Sequence, residues 1–314
     1  MSTNRERRQQ KMPSFAFYKN EFVPLSEANM SVMTNFIHYG TGVFEGIRGN
    51  WNAENKRSYL FCLKEHYERL HQGCQVLKME LPYSVDEMCR ITVELVEKCG
   101  FEENVYIRPL AYKSAEALGV RLHDLECDFT VFAFPWGPYL PDKVRCCVSS
   151  WRFPNGIPRA KLTGLYVTNA LAKTDAIETG FDEAIMLTSD GYVAEGSGEN
   201  IFLVINGELV TPASYDGILM GITRNKVMEL AEAELGIKTV ERHVDRVELY
   251  NVSECFLTGT AANITPVSEI DNRRIGDGEI GQITEKLQNI YSDVIRGNNP
   301  KYLNWCTPAK RKGR

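Results

Sequence analysis

An α+β fold in two domains is what the order of elements in this chain predicts. Three observations carry that prediction. Apolar runs meet at the turn dipeptides Lys19-Asn20, Asp190-Gly191 and Asn206-Gly207, the mark of antiparallel hairpins. Helical patterns come in clusters rather than in strict alternation with strands. Between the clusters, "PWGPYLP" places Pro135, Pro138 and Pro141 where neither helix nor strand can continue.

Each element follows from local pattern. "FAFYKNEFVPL" reads as strand, turn and strand. Helical spacing covers 64–78 and 84–99, the second opened by a capping box in which Ser84 precedes Glu87 by one turn. "NVYIRPLAY" and "DFTVFAF" are strands. The expected division is an extension over 1–13, a first domain over 14–134, a linker over 135–141 and a second domain over 142–314. The second domain opens with the strand "VRCCVSSW", followed by a helix over 168–179 and two hairpins, "DEAIMLTSDGYVAEG" and "NIFLVINGELVTP". "TRNKVMELAEAELG" turns Val227, Leu230, Ala231 and Leu235 to one face and stops at Gly236. "SECFLTGTAANITPV" and a helix near 282–296 follow.

The chain has 314 residues, 43% of them hydrophobic and 25% charged, with a net charge of −5. That is a globular composition, with no bulk charge to recruit nucleic acid or an anionic membrane. No apolar run reaches the ~20 residues of a membrane span. "MSTNRERRQQKM" lacks the apolar core of a secretory signal, and "AKRKGR" reads as a solvated tail. Nine cysteines without a Cys-x-x-Cys pair, and no histidine cluster, indicate neither a disulfide framework nor a metal site. Reduced thiols point to the cytoplasm. Cys146 and Cys147 read as small strand hydrophobes.

Several motifs lead nowhere. "GDGEIG" (276–281) has dinucleotide-loop spacing but lacks a β-α-β unit around it. "GSGEN" is not a nucleophile elbow. His38, His66, His71, His123 and His243 show no ligand spacing, so each reads as structural.

Three segments could hold an anionic, planar cofactor. Gly221, Ile222 and Thr223 open a helix whose first-turn N–H groups attract an anion. Gly259, Thr260, Ala261 and Ala262 leave backbone open to close approach. Glu195 ends an apolar strand before Gly-Ser-Gly, where a buried carboxylate needs a cation or hydrogen bonds. Taken singly, Thr223 reads as an N-cap, the second block as a tight turn, and Glu195 equally as an exposed strand end. Lys161 adds an amine in a partly apolar corner, where desolvation favours its neutral, nucleophilic form. An amine for an aldehyde, a carboxylate for a ring nitrogen and two phosphate cradles together match pyridoxal 5′-phosphate.

The chain also resembles the branched-chain amino-acid aminotransferases, class-IV enzymes of pyridoxal-phosphate fold type IV. The likeness runs from about Phe15 to about Ser292. Its blocks are "HYGTGVFEGIR", "HYERLH", "VYIRPL", "FPWGPYL", "IPRAKLTGLY", "EGSGENIF", "GITR" and "GTAANITPV", in the family's order. The resemblance implies a smaller N-terminal α/β domain, a larger C-terminal pseudo-barrel domain and a cofactor at the domain interface. It implies that Lys161 bonds the cofactor aldehyde, Glu195 pairs with the ring nitrogen and Tyr166 with the ring hydroxyl. Arg69, Ile222, Thr223 and Thr260 would hold the phosphate. Tyr106 and the amides at Thr260 and Ala261 would receive the substrate carboxylate, and Arg108 the side-chain carboxylate of glutamate. Phe44, Trp136 and Tyr139 would wall an apolar pocket, with Tyr39 nearby and reaching across a homodimer.

The implied reaction is transamination between L-leucine, L-isoleucine or L-valine and 2-oxoglutarate, ping-pong and reversible. A Glu195–pyridinium pair at ~4 Å in an effective dielectric near 20 would interact by about 4 kcal/mol, enough to keep the ring protonated. The alternatives on this fold are a D-amino-acid aminotransferase, an aminodeoxychorismate lyase or a non-catalytic binding protein. Leu165 and Asn263 depart from the family's common asparagine and glutamate.

Overall fold

The computed structural model describes residues 15–153 and 160–310. The expected extension over 1–13, residues 154–159 of the lysine-bearing block and residues 311–314 of the basic tail lie outside the described residues. The chain divides into two compact units. One comprises Met1–Gly137, Leu162–Gly164 and Val294–Arg314, the other Pro138–Lys161 and Leu165–Asp293.

The first unit begins with β1 (Phe15–Tyr18) and β2 (Glu21–Pro24), hairpinned through Lys19 and Asn20, which both take positive φ. After α1 (Asn35–Tyr39) come β3 (Gly42–Phe44), β4 (Ile47–Asn52) and β5 (Arg57–Phe61). Then α2 (Leu63–Val76) and α3 (Val85–Cys99) precede the long hairpin of β6 (Val105–Lys113) and β7 (Cys127–Pro135). The capping box at α3 is present: Glu87 N–H donates to Ser84 Oγ, and Ser84 N–H donates to Glu87 Oε2 at 2.8 Å. Phe129 of β7 packs among Phe17, Tyr67 and Tyr83, so the helices and the sheet close one apolar core.

The second unit carries β8 (Val144–Arg152), α4 (Tyr166–Glu178), β9 (Glu183–Leu187), β10 (Val193–Gly196), β11 (Asn200–Ile205) and β12 (Glu208–Thr211). It continues with α5 (Ile222–Leu235), β13 (Thr239–Glu241), β14 (Glu254–Gly259), β15 (Asn263–Ile270), β16 (Arg273–Arg274) and α6 (Gln282–Ile295). Its strands run β10-β9-β8-β15-β14-β11-β12-β13, with β16 on β15. β10 and β11 stand far apart in that order, yet only Ser197, Gly198 and Glu199 separate them in the chain. The sheet must therefore curl back on itself, which is the expected pseudo-barrel. Val144, Ile185, Leu203, Leu257 and Val267 fill its interior. Val227, Leu230 and Ala231 of α5 are buried, and Gly236 ends the helix in the left-handed region.

The last strand, β17 (Cys306–Lys310), returns to the first unit beside β5, pairing Lys310 with Arg57. The first unit's sheet is then β17-β5-β4-β6-β7-β1-β2, antiparallel throughout, with β3 against β6. Two expectations change here. The described residues from Val294 on group with the first unit rather than with the expected 142–314 body, and Cys306–Lys310 pair with the edge of β5. Ala309 and Lys310 of the supposed solvated tail are strand residues through that pairing, and Ala309 is buried.

Candidate active site

In the second unit Lys161 Nζ donates to Tyr166 Oη at 2.7 Å. Tyr166 opens α4, and one turn along that helix Asn169 Nδ2 donates to Ser197 O at 2.6 Å. That bond ties the lysine-bearing segment to the Gly196-Ser197-Gly198 turn after Glu195. Glu195 is buried, which decides between the two readings left open above. Its Oε2 accepts from Asn200 Nδ2 at 2.7 Å and from Leu219 N–H at 3.1 Å. The same amide nitrogen of Asn200 also donates to Leu219 O at 2.9 Å.

Asn200 joins a second block to the first. A Cβ added to Gly221, the cap of α5, would lie 1.9 Å from Asn200 Oδ1, so only glycine fits there. Ile222 and Thr223 form the first turn of α5, whose N–H groups precede the helical ladder. The third block stands beside the turn: a Cβ on Gly259 would meet Gly198 O at 3.5 Å. Thr260, Ala261 and Ala262 link β14 to β15. Lys161, Tyr166, Glu195, Ile222, Thr223, Thr260 and Ala261 thus sit on segments that contact one another through Asn169, Asn200 and the glycines. Thr258 Oγ1, just before that link, is buried with no hydrogen-bond partner in the described structure. Asn263 begins β15 at φ 57°, a left-handed conformation that asparagine tolerates, which accounts for its presence there.

In the first unit Arg69 Nε and Nη2 each donate to an oxygen of Glu45 at 2.7 Å, and His66 Nδ1 meets Glu45 Oε2 at 2.7 Å. His66 and Arg69 share a face of α2 because they lie three residues apart. Burial alone would raise the Glu45 carboxyl. The charge of Arg69 and the bond and charge of His66 outweigh that and hold it well below the usual carboxylate range.

Arg108 lies between rings, its Cζ 4.8 Å from the centre of Phe44 and 5.2 Å from that of Tyr106. Its Nη2 donates to Tyr106 Oη at 3.3 Å, while its buried Nε has no partner in the described structure. Tyr106 meets Trp136 edge-on at 4.4 Å. Arg48 fixes that stretch by donating to Trp136 O and Gly137 O, at 3.1 Å and 3.2 Å. A Cβ on Gly46 would lie 1.9 Å from Tyr106 Oη, so this glycine makes room for the phenol. Phe44, Tyr106, Arg108 and Trp136 therefore form one aromatic and cationic cluster. Tyr39 stands apart from it, its Oη accepting from Gly119 N–H at 2.9 Å. Tyr139, of the second unit, has the Lys173 ammonium 5.7 Å from its ring centre.

Sequence reading missed Glu45, Asn169 and Asn200 and gave His66 only a structural role. Each acts on a partner chosen by the fold, so spacing alone held no sign of it. Among the described residues, no three His, Cys, Asp or Glu side chains group as metal ligands, and no helix is long and apolar enough to cross a membrane.

The chain is similar to known proteins along most of its length. The family described as Amino-transferase class IV matches residues 42–270. A probable branched-chain-amino-acid aminotransferase of Aquifex aeolicus is 50% identical over 303 residues, 95% of this chain and 97% of that protein. The crystal structure of the branched-chain aminotransferase of Thermoproteus uzoniensis with norvaline has a TM-score of 0.90 at 41% identity, covering 94% of this chain and 99% of that one. The branched-chain amino acid aminotransferase of Thermobaculum terrenum in its PLP-bound form has a TM-score of 0.90 at 36% identity, covering 95% and 98%.

Proposed function

This chain belongs to the class-IV aminotransferase family, and we propose that it exchanges amino groups between branched-chain L-amino acids and 2-oxoglutarate with pyridoxal 5′-phosphate as cofactor. The observation that carries the reading is the second unit's donor set: Lys161 Nζ against Tyr166 Oη, with a buried, clamped Glu195 beside two small-residue turns and a helix N-terminus. Those groups fit the cofactor, supplying an amine for its aldehyde, a phenol for its ring hydroxyl, a carboxylate for its ring nitrogen and N–H groups for its phosphate. Bound there, pyridoxal phosphate supplies an electron-accepting ring that acidifies the Cα–H of an attached amino acid.

The chain's residues do the rest. Lys161 Nζ would be the nucleophile toward the cofactor aldehyde and, when free, the base that takes the proton from Cα and delivers it to the cofactor C4′ carbon. Tyr166 Oη orients that amine. Asn200 and Leu219 N–H fix the Glu195 carboxylate, so it does not reorganise as charge develops. In the first unit we assign the phosphate cation to Arg69, pre-set by Glu45. Arg108 takes the side-chain carboxylate of glutamate, and the Phe44, Tyr106 and Trp136 rings receive aliphatic side chains. Partners are amino acids and 2-oxo acids. We assign the assembly as a homodimer, supported by Val32, Met33, Ile37, Tyr39, Leu118 and Val120, which are apolar yet exposed. The compartment is a reducing one, the cytoplasm, supported by nine free cysteines.

A panel of L- and D-amino donors with 2-oxoglutarate, scored by glutamate formed, tests the reading. Turnover of L-leucine, L-isoleucine and L-valine is expected. Activity confined to D-donors, or pyruvate released from aminodeoxychorismate, overturns it.

A further inference from the structure

Beneath the Gly196-Ser197-Gly198 turn lie two buried carboxyls in contact, Glu183 of β9 and Glu199 just before β11. Glu183 is surrounded by donors. Lys173 Nζ of α4 pairs with its Oε2 at 2.6 Å, Ser197 Oγ donates to its Oε1 at 2.6 Å and Ala184 N–H donates to Oε1 at 2.7 Å. Glu199 has Gly198 N–H at 3.2 Å from its Oε2, and its side chain hydrogen-bonds Glu183. Two carboxylates cannot both be ionised in a dry contact against a single cation. The cation and the hydroxyl are on Glu183, so the proton belongs on Glu199, which donates it to Glu183.

The pair also underlies the cofactor face. A Cβ on Gly196 would come within 2.9 Å of Glu199 Oε2, and one on Gly259 within 3.6 Å of Glu199 Cγ. Glu199 thus packs under both turns, against Gly196 on one side and Gly259 on the other.

We propose that Glu183 and Glu199 are a positioning pair that shares one proton, so that Lys173, Glu183 and Glu199 together carry no net charge beneath the turns that receive an anionic cofactor. The second half of this proposal rests on the cofactor reading above; the proton-sharing half does not. The titratable groups around Glu199 are Lys173 of α4, Glu183 of β9 and Cys146 of β8, with Cys255 of β14 behind Cys146; Cys147 of β8 faces Glu183 instead, with Asp175 and Asp271 beyond it. Burial pushes all three thiols up, so they stay neutral. Burial, then the charge of Glu183, drives the Glu199 carboxyl well above the usual range.

The sign of the linkage follows. A carboxyl whose folded value is raised takes up a proton on folding, so its stabilising share is complete below the ordinary carboxylate range and lost as pH rises toward the folded value. Unfolding of the cofactor-free protein by urea, measured from about pH 5 to about pH 8, should show wild type losing stability with pH by one proton more than Glu199→Gln. Glutamine keeps a donor toward Glu183 and cannot titrate. In wild type alone, infrared spectra at neutral pH should show the carbonyl band of a buried protonated carboxylic acid. Titration of pyridoxal phosphate should show affinity falling with alkaline pH on the order of tenfold more in wild type than in Glu199→Gln, the size of one added charge at ~10 Å. Parallel stability slopes, or no protonated-acid band in wild type, overturn the shared proton. Parallel affinity profiles overturn its role under the turns. A wild type that binds no pyridoxal phosphate at any pH defeats the cofactor reading instead, while the band and slope still decide the pair.

Discussion

Arg69 lays Nε and Nη2 against both oxygens of Glu45, each at 2.7 Å, and the carboxylate is fully buried. A bidentate pair of this kind aims the guanidinium and removes its freedom to swing. Glu45→Ala removes the buried carboxylate that pairs with Arg69, and removing one member of a buried pair costs about 3–5 kcal/mol. The urea midpoint should fall accordingly, and affinity for pyridoxal phosphate with it.

The same pair predicts an acid limb. The folded Glu45 carboxyl is depressed, so its stabilisation is complete above the ordinary value of about 4.3 and drains as pH falls toward the folded value. In Glu45→Gln, unfolding free energy plotted from about pH 5 to about pH 2 should be flatter than in wild type. Curves of equal slope would show that Glu45 is not the group that titrates.

Tyr166→Phe removes the oxygen 2.7 Å from Lys161 Nζ. Losing a hydrogen bond to a charged or reacting amine is worth about 1.5–3 kcal/mol, so kcat should drop by roughly 10- to 100-fold. Because the contact lies at the reacting nitrogen, the drop should be equal for leucine and glutamate. A loss confined to one donor would place Tyr166 in side-chain selection.

Arg108→Leu should do the reverse. It deletes the cation held between Phe44 and Tyr106 while leaving apolar surface. Steady-state kinetics should show KM for glutamate and 2-oxoglutarate raised by roughly 10- to 100-fold, with leucine little affected. An unchanged KM for glutamate and 2-oxoglutarate contradicts the assignment.

Asn200→Ala leaves Glu195 Oε2 and Leu219 O short of a donor in a buried site, a loss of about 1–3 kcal/mol. Gly221→Ala should reproduce the defect with residue 200 left as asparagine, because its Cβ would displace Asn200 Oδ1. Matching falls in cofactor affinity for the two variants are the expected result.

Much of this architecture could be read from local chemistry. Lys19-Asn20 and Asn206-Gly207 mark turns because their residues accept positive φ, as they do here. Strands β3 to β5 escaped notice because Gly46, Gly49, Asn50 and Asn52 break apolar alternation, and β17 because Pro308 and the basic residues after it read as coil. In the site, Lys161, Tyr166 and Glu195 stand in short blocks whose chemistry is local. Glu45 with Arg69, and Glu183 with Glu199, become partners only after distant strands and helices are packed. Periodicity says nothing about such pairs.

Reduction of the pyridoxal-phosphate-loaded protein with borohydride, followed by peptide mapping, tests the central assignment most directly. The pyridoxyl group should be found on Lys161 alone, and Lys161→Ala should neither be labelled nor transfer amino groups. Label on a different lysine, or full transfer by Lys161→Ala, contradicts the account.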